Sequence, residues 1–130
     1  MSIDIKEMKP VKNVKFIKGD FLETTTKNEV KKYFNSYLDV IISDMAADTT
    51  GNKSLDSIRT NQICANVINF AKETLKPKGV LVSKIFMGDD FIEVKNLAKS
   101  TFEKINFYKP ESSRKESKET YLHCEILKPL

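Results

Sequence analysis

Acidic residues follow three apolar stretches of the chain in turn. Asp4 closes the first stretch, Asp20 follows the second, and Asp44 follows LDVII at residues 38–42. If these stretches are parallel strands, their carboxyl ends meet at one edge of a sheet, where the ligands of open α/β sheets bind. Carboxylates at that edge can accept hydrogen bonds from ribose hydroxyls or face a reacting group. Each Asp taken alone is also compatible with a turn or a helix cap.

A lysine interrupts the apolar run GVLVSKIF at residues 79–86, which otherwise has the pattern of a strand buried on both faces. Lysine is almost never fully buried without a partner, because its charge is costly to remove from water. Lys84 therefore predicts a nearby carboxylate, and Asp44 at the end of the adjacent strand is the expected one. The alternative is that Lys84 extends to solvent at the end of its strand.

The segment KPESSRKESKETY at residues 109–121 combines charges with hydroxyl groups. Charge runs are usually solvated loops. Glu119, however, enters the last predicted strand in a position to point toward Lys84. The segment also carries side chains suited to phosphate, namely Arg114, Ser112 and Ser113.

The composition is that of a globular protein rather than a disordered or membrane-spanning one. The 130 residues are 40% hydrophobic and 31% charged, and no apolar run approaches the ~18–20 residues that cross a bilayer. We expect a single domain over residues 1–130, monomeric and cytoplasmic. The net charge of +4 permits nucleic-acid binding, although an excess of Lys over Arg can also reflect genome composition.

No metal site is expected from the cysteines. Cys64 and Cys124 are far apart and lack partners at metal-ligand spacing, and His123 stands alone beside Cys124. We expect both thiols to be small buried hydrophobic groups and His123 to be a solvent-side residue.

The apolar periodicity predicts six strands alternating with three helices, and hence an α/β sheet. The expected strands are 3–5, 14–17, 38–42, 79–86, 102–108 and 120–127, and the expected helices are 26–36, 55–75 and 89–99. The third strand is expected to be buried, as a parallel strand requires. Val30, Tyr33, Phe34 and Tyr37 should form one apolar face around the first helix. Pro77 and Gly79 should end the second helix, and Asp89 and Asp90 should begin the third.

These motifs resemble the RrmJ/FtsJ family, which methylates the 2′-hydroxyl of ribose in RNA. The matching stretches follow in order along essentially the whole chain: IKGDF (17–21), DVIISDMA (39–46), LVSKIFMGDDF (81–91) and KPESSRKESKETY (109–121). The pattern SSR-x-x-S-x-E-x-Y in the last stretch is the most specific. The resemblance implies a Rossmann-like class I methyltransferase fold that uses S-adenosyl-L-methionine. The implied substrate is a uridine of 23S ribosomal RNA in the large ribosomal subunit.

The resemblance also implies roles for individual residues. Lys84 matches the family's catalytic lysine, Asp44 belongs to both the catalytic and cofactor sites, and Glu119 completes the catalytic set. The implied cofactor contacts are Asp4 near the ribose and Asp20 with Phe21 near the adenine. The loop residues Arg114, Ser112 and Ser113 are implied in RNA binding.

Two departures from the family pattern matter. Ala47 replaces a proline of the family's SDMAPN motif. The family's first catalytic lysine, first strand and glycine-rich loop have no counterpart, so we expect an N-terminally truncated domain with weak cofactor binding and two unpaired inner strand edges. A catalytically inactive RNA-binding fragment of the same fold is the other hypothesis. A generic dinucleotide-binding domain fits Asp4 but not the Ser-Arg loop.

Overall fold

The computed structural model describes residues 1–47, 50–88, 90–109 and 119–129. As predicted, six strands and three helices lie in this part of the chain. The strands are β1 (Ser2–Asp4), β2 (Phe16–Lys18), β3 (Leu38–Ser43), β4 (Leu75–Phe86), β5 (Phe102–Tyr108) and β6 (Glu119–Leu127). The helices are α1 (Thr24–Phe34), α2 (Lys53–Thr74) and α3 (Phe91–Thr101). The chain forms two compact units, Met1–Ser36 and Tyr37–Leu130.

The unit Met1–Ser36 contains a parallel pair of strands and one helix. β1 pairs with β2, and Ile17, Phe21 and Val30 are buried in a small core. The predicted apolar face of the first helix is only partly buried, because Tyr33 and Phe34 are exposed. A two-stranded sheet offers apolar surface for about one stripe of a helix, so the aromatic residues at the end of α1 stay outside the core. Tyr37, which begins the second unit, is exposed as well.

The unit Tyr37–Leu130 is built on a four-stranded sheet of order β3-β4-β6-β5. β4 runs parallel to β3 and antiparallel to β6, and β6 runs antiparallel to β5. Along β4 the side chains alternate, with Leu81, Ser83 and Ile85 buried on the face that packs against α2. Lys84 lies on the opposite, half-buried face. The prediction that this strand is buried on both faces was therefore wrong, because the side chains on the second face are only half-buried.

The connection from α2 to β4 is more direct than the sequence predicted. Asn52 caps α2 by accepting a hydrogen bond from the Leu55 backbone N–H, and the helix ends at Thr74. Residues 76–79, predicted as a turn, belong instead to β4. An irregularity in the β3–β4 register takes residues 76–79 out of the regular ladder, so Pro77 does not have to donate a ladder hydrogen bond.

The start of α3 also differs from the prediction. Asp90 is the N-cap residue, but it has a left-handed backbone (φ 67°) and its side chain makes no capping hydrogen bond. N-cap side chains usually bond from an extended backbone, which explains why this carboxylate does not cap. Asp89 lies outside the described residues.

β3 lies at an edge of its sheet. Val40 and Ile42 are 53% and 74% exposed, so the prediction of a buried third strand was wrong. Within the described residues β3 pairs only with β4, and β1 pairs only with β2. The predicted unpaired strand edges are thus confirmed. No helix in these ranges is long and apolar enough to cross a membrane.

Ile42 on the edge strand β3 is exposed, so a charged residue should be tolerated at this position. Ile42→Lys should change the unfolding temperature of the 130-residue chain by no more than about 2 °C, since exposed substitutions rarely matter, and should reduce self-association through β3. Circular dichroism and light scattering measure the two effects. As a control, Ile85→Lys on the buried face of β4 should unfold the chain. A large loss of stability in Ile42→Lys would show that this edge is covered.

Candidate functional site

Three ionisable side chains from three strand ends meet in the unit Tyr37–Leu130. Lys84 Nζ lies 3.1 Å from Asp44 Oδ1 and 3.6 Å from Glu119 Oε2. The Lys84 side chain is 12% exposed and that of Asp44 is 68% exposed, so the lysine does not extend to solvent. The predicted convergence of these residues is confirmed, and their catalytic roles stay predictions. The arrangement leaves a largely buried cation beside an accessible carboxylate.

The strand register explains why the three side chains meet. Ser43 pairs with Ser83 in the parallel ladder, so the next residues, Asp44 and Lys84, are neighbours. On the other side of β4, Lys84 pairs with Tyr121 and Phe86 pairs with Glu119. Paired residues point to the same face of a sheet. The centre is therefore a direct consequence of how β3, β4 and β6 align.

Tyr121 is a member of the centre that the sequence reasoning missed. Its hydroxyl donates to Asp44 Oδ1 at 2.5 Å and lies 3.5 Å from Glu119 Oε1. The shorter distance is that of a charge-assisted O–H···O⁻ hydrogen bond. The available signal was the spacing of two residues from Glu119, which places both side chains on one face of the strand.

The contacts fix the protonation of this centre. Burial opposes the ionisation of Asp44, but hydrogen bonds from Tyr121 and Lys84, together with the charge of Lys84, hold the pKa of the carboxyl below its usual value. The hydrogen bond to Asp44, with a smaller effect of burial, raises the pKa of the Tyr121 hydroxyl well above its usual value. At neutral pH, Asp44 is therefore ionised and Tyr121 is a hydrogen-bond donor.

Helix α2 holds the backbone beside the centre. The side chain of Asn61, which is fully buried, accepts from the Phe86 N–H at 2.8 Å and donates to the Phe86 carbonyl at 3.0 Å. Thr60 Oγ1 accepts from the Ala47 N–H at 3.1 Å, in the segment that follows β3. The positions of both strand ends thus depend on two adjacent polar residues of α2. In sequence the signal was their location within the apolar face of this helix.

Asp56 holds the described residues just before α2, although the family's proline is absent at Ala47. Asp56 is buried and accepts from the Thr50 N–H at 3.0 Å and the Thr50 hydroxyl at 2.7 Å. The hydrogen bonds from Thr50 hold the pKa of Asp56 below its usual value. Gly51 has a φ of 90°, which favours glycine.

The cofactor residues expected in the unit Met1–Ser36 lie where strands end. Asp4 closes β1 and accepts from the Lys6 N–H, and Asp20 follows β2 and accepts from the Leu22 N–H. Both contacts are local turns of the kind Asp commonly forms. Phe21 is buried, and a lysine ammonium lies 5.4 Å from its ring centroid. Their roles toward a cofactor stay predictions.

The remaining predictions concern the RNA-binding loop, the two cysteines and metal ligands. Arg114, Ser112 and Ser113 lie outside the described residues. Cys64 and Cys124 are buried free thiols, as expected, and burial raises their pKa values to about 11 and about 12. Within the described ranges, no group of three His, Cys, Asp or Glu side chains is arranged to hold a metal ion.

Removing the Asn61 amide should destabilise the chain. Asn61→Leu leaves the Phe86 N–H and carbonyl without this partner, and the expected loss is on the order of 2 kcal/mol in the free energy of unfolding. Urea denaturation measures it. The matched control is Asn69→Leu on the exposed side of α2, which should change stability by less than about 0.5 kcal/mol. Equal effects of the two substitutions would contradict the account.

Removing the Tyr121 hydroxyl should shift the titration of Asp44. In Tyr121→Phe the Asp44 pKa should rise, because one hydrogen bond that lowers it is gone. A lowered folded-state pKa contributes stability that is lost as pH falls through it. In the variant this loss should therefore begin at higher pH. Carbon NMR of the Asp44 carboxyl measures the pKa, and Tyr108→Phe serves as the control. An unchanged pKa in Tyr121→Phe would contradict the assigned contact.

Comparison with known proteins identifies the family. The FtsJ-like methyltransferase family matches residues 1–126. The chain is 44% identical over 128 residues to the ribosomal RNA large subunit methyltransferase E of Pelagibacter ubique, and it covers 63% of that protein and 98% of itself. With the enzyme of the same name from Rickettsia akari it is 40% identical over 122 residues, which are 94% of this chain and 54% of that protein. The chain thus spans less than two thirds of these relatives.

Solved structures of methyltransferases superpose on this chain. A Plasmodium falciparum protein described as a ribosomal RNA methyltransferase superposes with a TM-score of 0.82 at 26% identity, covering 96% of this chain and 70% of that chain. Human methyltransferase-like protein 13, solved with SAH, gives a TM-score of 0.61 at 16% identity, over 92% of this chain and 52% of that chain. The second likeness shows the fold alone. The fold is the predicted Rossmann-like methyltransferase fold, and the chain belongs to the FtsJ-like methyltransferase family.

Proposed function

We propose that this chain carries the catalytic centre of an S-adenosyl-L-methionine-dependent RNA methyltransferase that modifies the ribose 2′-hydroxyl of a uridine in 23S ribosomal RNA. The observation that carries the proposal is the Lys84 ammonium, 12% exposed and held between Asp44 and Glu119. The substrate class is supported by the names of the Pelagibacter and Rickettsia relatives. The proposal includes a single methyltransferase domain, monomeric and cytoplasmic, that acts on the large ribosomal subunit.

Methyl transfer to a hydroxyl oxygen requires alignment of the reactants and removal of one proton. Alignment is the larger requirement, and it can supply roughly 7–11 kcal/mol at best. Proton management by a positioned base typically adds about 10²–10⁴-fold in rate. S-adenosyl-L-methionine supplies an electrophilic methyl group on a sulfonium when bound. The protein must therefore mainly hold the ribose oxygen in place.

The residues of the centre suit that task. The Lys84 ammonium has three N–H donors, and contacts with two carboxylates restrict its position. It can donate to one lone pair of the 2′-oxygen and leave another directed at the methyl group. Asp44 is ionised and accessible. Its lowered pKa makes it a weak base, which suffices because the oxygen becomes strongly acidic as it gains the methyl group.

Residues at other strand ends fit the cofactor. Asp4 ends β1 and Asp20 follows the parallel strand β2, and ligands of open α/β sheets bind at the carboxyl ends of such strands. Carboxylates there suit ribose hydroxyls, and the apolar ring of Phe21 suits the adenine. The proposal also assigns Asp44 to the cofactor, because its negative charge suits the positively charged sulfonium. Contacts of Arg114, Ser112 and Ser113 with RNA phosphates belong to the same proposal.

The proposal is tested by methyl transfer in a chimera that joins this chain to the part of the Pelagibacter ubique relative outside the matched region. Lys84→Ala and Asp44→Ala should each reduce kcat by at least about 10²-fold, and Glu119→Ala should reduce it less, because Glu119 supports the lysine. Tritium transfer to undermethylated large subunits gives the rate, and mass spectrometry of nucleosides identifies 2′-O-methyluridine.

Lys78→Ala is the matched control, since Lys78 is exposed on the same strand. Near-full activity of Lys84→Ala would refute the catalytic assignment. A chimera that binds RNA and transfers no methyl group would favour the inactive RNA-binding fragment.

A further inference from the structure

The row of side chains at the catalytic centre continues to the edge of the sheet. Tyr121 pairs with Lys84 on β4 and with Tyr108 on β5, so these three side chains lie on one face. Tyr121 is occupied by its hydrogen bond to Asp44. Tyr108, by contrast, is 60% exposed. An accessible aromatic ring therefore ends the row that begins at Asp44.

The same face of β5 carries further polar groups. Asn106 and Lys104 alternate with Ile105 and Phe107, and both are exposed. Phe107 lies on the opposite face, where its ring packs 5.1 Å from that of Phe91 in α3. Packing of that face against α3 fixes β5, so Asn106 and Lys104 are held in line with Tyr108. Lys104 makes no ion pair with any residue of the described ranges.

Beyond Asn106 the strand edge borders a positively charged groove. The groove has a volume of about 430 Å³, and its lining includes Lys99, Lys104, Lys128 and Asn106 together with one carboxylate, Glu103. Lys128 Nζ donates to the Lys99 carbonyl at 2.6 Å, which holds its ammonium at the groove. Positive grooves next to exposed aromatic rings are the arrangement by which proteins bind single-stranded nucleic acid.

We propose that Tyr108 is a stacking platform for a nucleobase of single-stranded RNA, next to the nucleotide whose ribose is held at Lys84. This inference rests on the proposed function. The sugar-phosphate backbone then follows β5 past Asn106 and Lys104 to the groove. Every base has a π-face, so the ring binds bases with little regard to sequence.

The dimensions fit an unstacked strand. Neighbouring strands lie about 4.8 Å apart, so Tyr108 is roughly 10 Å from Lys84 across β6. Stacked bases are only about 3.4 Å apart. The base on Tyr108 is therefore separated from the target nucleotide, as in the recognition of single-stranded RNA with splayed bases. From Tyr108 to Lys104 the strand spans about 13 Å, enough for further nucleotides.

The test is RNA binding by the 130-residue chain, measured by fluorescence anisotropy with a labelled single-stranded oligouridylate. Tyr108→Ala should weaken binding about 5- to 150-fold, the effect of losing one base–aromatic stack. Tyr108→Phe should bind normally, because the ring is kept. Tyr33→Ala, which removes another exposed tyrosine, should also bind normally. Lys104→Ala should reduce the salt dependence by about one unit of slope.

An oligomer with abasic sites separates stacking from a structural role. The unaltered chain and Tyr108→Ala should bind it equally, because it has no base to stack at those sites. Equal binding of oligouridylate by the same two proteins would overturn the proposal. The proposal would also be overturned if Tyr108→Ala preferred oligouridylate over the abasic oligomer as strongly as the unaltered chain does. An absence of measurable RNA binding by the unaltered chain would overturn it as well. The binding assay involves no methyl transfer. A negative result would therefore overturn the stacking proposal without affecting the catalytic proposal, which the methyl-transfer assay tests.

Discussion

One ammonium group places the strongest constraint on this structure. Lys84 is 12% exposed, and removing a charge from water costs several kcal/mol unless opposite charges lie close. Asp44 and Glu119 meet that requirement from β3 and β6. They can do so only in the observed register, since a shift of one residue would turn Lys84 into the apolar layer beneath α2. The ionic cluster of Lys84, Asp44 and Glu119 and the alignment of the strands are therefore one physical arrangement.

Hydrogen bonds from uncharged side chains also fix the positions of the residues in this cluster. The Tyr121 hydroxyl holds Asp44 in its ionised form and in a defined position. Asn61 bonds to the backbone of Phe86, the last residue of β4, and Thr60 bonds to the backbone of Ala47, which follows β3. Buried polar groups that are fully paired give a unique geometry at little net cost, whereas losing one partner is expensive. Helix α2 is thus a support of the centre as well as a cover for the sheet.

The sequence predicted the charged part of the site because Lys84 is a charged residue within an apolar strand. Such a lysine needs a nearby carboxylate, and few carboxylates of the chain can reach it. Tyr121, Thr60 and Asn61 were not predicted, because polar residues in amphipathic elements are ordinarily solvent-facing. The burial of β3 was predicted wrongly. An apolar run predicts that both faces of a strand are covered. In the part of the chain that the structure describes, β3 is an edge strand, and Val40 and Ile42 on one of its faces are exposed.

The claim that Lys84 and Asp44 act as one unit has a direct measurement, a double-mutant cycle in kcat/KM for methyl transfer by the chimera. Residues that act together lose most of their effect with the first substitution. The double variant Lys84→Ala/Asp44→Ala should therefore be no more than about threefold slower than the slower single variant. Losses that multiply, so that the double variant shows the product of the two single effects, would mean that the residues act independently and would contradict the account.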